Sequence, residues 1–161
     1  MSGPFSIRDA APGDAARIAA MVNRLSAATG GPGDRMTAAI ARRDMIGAPR
    51  LTCLVAEVDG RAMAYALYNM VYETSYAAHG VYLSDLYVAE ALRRQGAARA
   101  LLAEIAARST AEGARFLWWI QVEGNKDAAA FYDALGAIDE PVRSRAVFGP
   151  EFDALRRRRA G

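Results

Sequence analysis

The sequence predicts an α/β domain built on one mixed sheet, in which an antiparallel meander leads into a parallel strand–helix–strand centre and helices cover both faces. Three observations carry that expectation. Near the start the apolar residues Ile18, Met21, Val22 and Leu25 recur at i, i+3, i+4 and i+7, a helical period, and the middle of the chain switches to β-rich runs. Asp59-Gly60, a dipeptide favoured in tight hairpin turns, separates two of those runs. Between residues 81 and 122 a strand, a helix and a second strand follow one another, the crossover that parallel pairing requires.

Taken in order, Phe5–Arg8 reads as a short strand, and Pro12-Gly13-Asp14 opens the helix that carries Ile18 to Leu25. After a glycine-rich loop over 29–33, residues 37–46 read as a second helix with Ile40 and Met45 inward, ended by Gly47 and Pro49. Leu51–Val58 and Met63–Tyr72 are the hairpin strands, and Val81–Val88 is a third, after a loop around His79. Ala98–Arg108 is a helix with Leu101, Leu102 and Ile105 on its buried side and Glu104–Arg108 as an i, i+4 pair. Beyond Gly113, Arg115–Val122 is rich in bulky β-formers, so its adjacent Trp118 and Trp119 are expected on opposite faces, one of them in the core. Asn125 is placed to cap a helix that runs to Leu135 and stops at Gly136, and a last strand is expected at Arg145–Phe148.

The 161 residues fit a single domain spanning 1–161, with residues from about 156 onward as a basic tail. Several chemistries are excluded by counting. One cysteine, Cys53, allows no internal disulfide and no cysteine-rich zinc site, and a lone histidine, His79, has no partner for a metal or a Ser-His triad. No metal is therefore expected. Cys53 lies in the apolar run LTCLVAEV and reads as a buried, inert thiol; His79 reads as a solvated loop residue. No run approaches the roughly 20 apolar residues of a membrane span, and the start has no basic stretch followed by an apolar one, so a cytoplasmic protein is expected. Net charge is +2, and the run Arg156–Arg159 reads as a solvated tail before it reads as a nucleic-acid contact.

The candidate site is the junction LRRQGAARAL at 92–101. A helix that starts directly after a strand presents unpartnered N–H groups and the positive end of its dipole, and both favour an anion. Here Gly96, Ala97 and Ala98 let the backbone approach a phosphate closely, and Arg93, Arg94 and Arg99 can pair with its oxygens, with Gln95 between them. The spacing is neither that of a P-loop nor GxGxxG, so an ordinary basic surface turn competes with a phosphate cradle.

Context favours the cradle. Arg93-x-x-Gly96-x-Ala98, after its strand and before its helix, resembles the Arg/Gln-x-x-Gly-x-Gly/Ala signature of the GCN5-related N-acetyltransferase superfamily. Asn125 and the run Ala-Phe-Tyr-Asp-Ala-Leu-Gly-Ala at 130–137 resemble its second cofactor-contacting region. Cys53–Val58, Tyr65–Tyr68, Val81–Val88, Glu123-Gly-Asn125 and Phe131-Tyr132 are most similar to the diamine (spermidine/spermine-type) acetyltransferases, over about 51–137. The resemblance implies acetyl-CoA as co-substrate and an amine as acceptor. It implies that the backbone of Leu86, Tyr87 and Val88 meets the pantetheine arm, that 93–99 form the pyrophosphate loop, that Asn125 contacts the cofactor and that Tyr132 is the general acid.

A phenol suits that last role because it holds its proton at neutral pH while the departing thiolate needs one; packing beside Phe131 is the competing use. Where the diamine enzymes carry Glu-Asp, this chain has Ser84-Asp85, so the usual base is missing at 84. Asp85 is then the candidate to bind the substrate ammonium or relay its proton, with Ser84, Glu123, Glu73 and tyrosines 65, 68, 72 or 82 as further pocket groups. Strand alternation sends Ser84 and Asp85 to opposite faces unless a bulge intervenes. The expected function is direct transfer of acetyl to a small primary amine, diamine, polyamine or amino-acid-like. Alternatives are a protein or peptide N-acetyltransferase and a non-catalytic module for acyl-CoA or nucleic acid. The family implies a homodimer, to which Val142–Leu155 could contribute.

Overall fold

The structure, a computed structural model, describes residues 4–158. They fall into two compact units, Met1–Val122 and Glu123–Gly161, and each is set out by itself.

The first unit holds a five-stranded sheet in the order β1-β2-β3-β4-β5. Its strands are β1 (Ser6–Asp9), β2 (Thr52–Val58), β3 (Arg61–Glu73), β4 (Ala78–Val88) and β5 (Ala114–Trp118). The first four pair antiparallel and β5 joins β4 in parallel, the mixed topology expected from the sequence. Asp59 and Gly60 both have positive φ, which is what a tight β2–β3 connection demands.

Helices cover both faces. On one, α1 (Ala15–Ala28) and α2 (Ala38–Asp44) bury Ile18, Ala19, Met21, Ala41 and Met45 against Cys53, Val55, Tyr65 and Leu67. The alternate strand residues Leu54, Ala66, Tyr68, Val81 and Leu83 are buried on the other face, the side of α3 (Ala97–Ala111) with Leu101, Leu102 and Ile105. A 3-10 turn at Pro12–Asp14 precedes α1, and its buried Asp14 carboxylate takes two bonds from Arg8, at 2.7 and 3.0 Å, and one from the Ala11 N–H at 2.8 Å. The expected Glu104–Arg108 pair forms at 2.7 Å, and Arg108 also reaches Asp9 at 2.9 Å.

The second unit contains α4 (Lys126–Asp133), capped by the Asn125 side chain as expected, and α5 (Gly149–Arg157). Several expectations need correction here. No strand forms at Arg145–Phe148; that stretch is irregular and leads into α5, whose start is set by Gly149 and Pro150. Arg156 and Arg157 form the last turn of α5 rather than a tail, a favourable place for cations, and Arg159 lies outside the described residues.

In the first unit β5 stops at Trp118, four residues short of Val122, and Trp118 is exposed while Trp119 is only half-buried, so neither ring fills the core. Trp118 instead meets Tyr82, ring centroids 5.1 Å apart. His79 belongs to β4, opposite Tyr72, and not to a loop. Cys53 is buried, and burial pushes its thiol up to about 12, as an inert thiol requires.

Candidate active site

Sheet register builds the site. The β4–β5 ladder ends at Tyr82↔Trp118, whereas β4 continues to Val88, so the last six residues of β4 extend past their parallel neighbour. On its other side β4 stays paired with β3 to Ala64↔Val88. Backbone groups of Leu86, Tyr87 and Val88 thus sit along a strand edge that β5 has left, the setting an amide-rich pantetheine arm needs.

A bulge interrupts the same strand. Tyr68 pairs with Leu83 and Leu67 with Asp85, leaving Ser84 as the extra residue. Val81 and Leu83 are buried toward α3, and simple alternation would have sent Asp85 the same way. The extra residue reverses that. Asp85 joins the rung Cys53↔Leu67↔Asp85, and Tyr87 the next rung, Val55↔Tyr65↔Tyr87, on the face covered by α1 and α2. Leu86 and Val88 face the α3 side, and Ser84 is exposed.

Asp85 is half-buried and accepts a hydrogen bond from the Tyr65 hydroxyl at 3.0 Å. Tyr65 itself is fully buried, its ring stacked on Tyr87 at 6.4 Å. Burial raises the Asp85 carboxyl above the ordinary carboxylate value, and the bond from Tyr65 opposes that rise. Burial and the Asp85 charge together push the Tyr65 phenol far up, so it acts as a donor and not as an acid. Of the tyrosines named from the sequence, Tyr65 is the one that meets Asp85. Tyr68 is on the opposite face, and Tyr82 meets Trp118. Glu73 and Tyr72 are not pocket groups. They lie at the far end of the 13-residue β3, roughly 20 Å along the strand from Leu67, and Glu73 bonds Ser75 there at 2.6 Å.

The turn after β4 runs through a 3-10 turn, Glu90–Leu92, anchored by buried Leu92, into α3. Gly96 is the N-cap of α3 with φ 87°, and no side chain caps the helix. A Cβ built at Gly96 meets nothing within 4 Å, so the corner is open. Arg94, at φ 59°, is also left-handed, and Arg93, Arg94, Gln95 and Arg99 are all exposed around it. Arg93 Nε donates to the Val88 carbonyl at 3.2 Å and Gln95 to the Ala91 carbonyl at 2.8 Å, which ties the turn back to the strand end. Ala97 is buried and Ala98 half-buried, fixing the helix start on the sheet. An uncapped helix N-terminus, open space above Gly96 and exposed guanidinium groups fit a diphosphate.

In the second unit, Tyr132 is half-buried on α4 with its ring 5.2 Å from that of Phe131, and burial raises its phenol. The Asn125 side-chain oxygen accepts from the Ala128 N–H at 3.2 Å, and Glu123 is exposed in the turn before it. Sequence reasoning placed Tyr65 only in a group of candidates. The Tyr-to-Asp85 pairing depends on a one-residue bulge whose sole sequence signal is the polar pair Ser84-Asp85 within an apolar strand.

Residues 19–137 match the Acetyltransferase (GNAT) family, and the chain belongs to it. It is an acetyl-transferring enzyme of a family that uses acetyl-CoA as co-substrate. The chain is similar to the thialysine N-epsilon-acetyltransferase of Sus scrofa, 29% identical over 143 residues, which cover 83% of this chain and 84% of that protein. It is also similar to the L-ornithine N5-acetyltransferase of Arabidopsis thaliana, 30% identical over 73 residues, 45% of this chain and 32% of that protein. Among solved structures, an integron cassette protein from the mobile metagenome of V. cholerae shares the fold with a TM-score of 0.80 at 17% identity, over 96% of this chain and 99% of that one. Among the described residues, no group of three or more His, Cys, Asp or Glu could hold a metal ion, and no helix is long and apolar enough to cross a membrane.

Proposed function

We propose that the chain acetylates the primary amine of a small, amino-acid-like or diamine substrate by direct attack on acetyl-CoA. The observation that carries this reading is the half-buried Asp85 carboxylate, which lies in the stretch of β4 that β5 has left and is turned by the Ser84 bulge to the face of Tyr65. Similarity to an enzyme named for a lysine-like amine supports the substrate class.

In this reading the α3 N-terminus and Arg93, Arg94 and Arg99 hold the diphosphate, and the backbone of Leu86, Tyr87 and Val88, with Asn125, aligns the rest of the coenzyme. Bound acetyl-CoA supplies the thioester. Asp85 receives the substrate ammonium and takes one proton, because near a pKa of about 10.4 only about one amine in a thousand is neutral at pH 7. The freed lone pair forms the C–N bond as the C–S bond breaks. Tyr132 gives its proton to the departing sulfur and regains one from water, while the second amine proton leaves to solvent. Ser84, exposed on the same strand, is a further group for the amine.

The exposed Phe148, Phe152 and Leu155 of the second unit support a contact between two copies of the chain. The activity test is a panel of amines offered with acetyl-CoA and read by release of free thiol. Turnover should be fastest with diamines and with amino acids that carry a side-chain amine. Transfer confined to peptide N-termini, or no transfer to any amine, would overturn the reading.

A further inference from the structure

A phenol hydroxyl that is wholly removed from water costs free energy unless it is bonded, and the packing around Tyr65 gives no other reason for one. Its neighbours Cys53, Val55, Leu67 and Ile18 form an apolar cluster that would accept a phenylalanine ring equally well. Among the described residues its polar partner is Asp85, across the β3–β4 ladder and three residues before the end of β4. The bulge at Ser84 is what brings this carboxylate to the tyrosine's face of the sheet.

We infer that Tyr65 is a positioning residue for acetyl transfer, acting through Asp85: its hydroxyl anchors one carboxylate oxygen and turns the other toward the substrate ammonium. The inference rests on Asp85 receiving the amine. Ionisable groups on the neighbouring strands are Tyr65 on β3, Cys53 on β2 and Tyr87 on β4, and the buried Asp14 at the start of α1, which also acts on Cys53, is bonded to Arg8. From the helical side, Arg17 of α1 is turned to the Ala62 carbonyl and the Met63 sulfur, Arg42 of α2 to the Pro12 carbonyl, and Arg43 to Asp44. The ionised carboxylate is therefore held mainly by a neutral donor. Burial works against its charge and the tyrosine bond works for it, so loss of that bond favours the protonated acid. A protonated Asp85 can neither attract an ammonium nor take its proton.

The test compares Tyr65→Phe, Asp85→Asn and the double variant, as full chains, by the pH dependence of kcat/KM for the best amine of the panel. Tyr65→Phe should move the acid limb upward by about 1 to 2 pH units, the size expected for a hydrogen bond to a charged group. Asp85→Asn should remove that limb, and adding Tyr65→Phe to it should change nothing further. An unmoved limb in Tyr65→Phe, with the limb lost in Asp85→Asn, overturns the role of Tyr65 and leaves that of Asp85. A limb that survives in Asp85→Asn overturns both. Carbon-13 titration of the Asp85 carboxyl in the unliganded protein makes the same comparison without turnover: its midpoint should be higher in Tyr65→Phe, and an unchanged midpoint overturns the inference.

Discussion

Under the proposed mechanism, stability and chemistry oppose each other at Asp85. Burial raises its pKa in the folded state, so the neutral acid contributes stability that is fully present below the unfolded value and lost as pH rises through the folded one. At neutral pH the ionised group is thus a burden on the fold. Asp85→Asn should melt at a higher temperature than the parent at pH 7, with a smaller difference near pH 3, while kcat/KM for the amine falls by about 100-fold. Thermal melts at the two pH values and initial rates check both halves. Tyr132 works the other way, since burial keeps its phenol protonated over the range in which an amine acceptor is used. Tyr132→Phe should lower kcat by about 100-fold and leave acetyl-CoA affinity unchanged by calorimetry. Gly96 is needed for its backbone: at φ 87° a side chain has room but strains the chain. Gly96→Val should cost about 1 to 3 kcal/mol in unfolding free energy and weaken acetyl-CoA binding about tenfold or more, read by denaturant titration and calorimetry.

Elements whose periodicity is strong were legible in the sequence, and elements set by partners were not. The stripe of Ile18, Met21, Val22 and Leu25 located α1, and Leu101, Leu102 and Ile105 located α3, because each buries one face against the sheet. Leu101→Ala, at a side chain with no exposure, should destabilise the chain by about 2 to 5 kcal/mol in chemical denaturation. The end of β5 was not legible: Trp119, Ile120 and Val122 have strong β propensity, yet the ladder with β4 ends at Trp118. That early stop is what exposes the edge of Leu86–Val88. The segment 145–148 carries the β-formers Val147 and Phe148, yet it stays irregular and leads into α5. The Ser84 bulge was foreseen as a possibility and not as a position, since one inserted residue leaves no periodic trace beyond a polar pair.

On the scale of the whole molecule, the family was the most legible part. The Arg93–Ala98 motif carries its own physics, an uncapped helix start beside guanidinium groups, and the family match extends from 19 to 137, from the first compact unit into the second. The first unit also carries a partly buried tie in the Arg8–Asp14 pair, where the bond from Arg8 holds the Asp14 carboxyl below its usual value. With a depressed folded pKa, that stability is present above the unfolded value and lost as pH falls through the folded one. Asp14→Asn should therefore cost about 1 to 2 kcal/mol at pH 7, allowing for the one-third exposure of Arg8, and little near pH 2, as read by urea unfolding at both values. The central claim is that the start of α3 grips the coenzyme diphosphate beside the uncovered end of β4. Amide nitrogen-15 spectra recorded during a titration with coenzyme A test it most directly. The largest shifts should fall at Gly96 to Arg99 and at Leu86 to Val88. Saturable binding that leaves those amides unmoved would contradict the account.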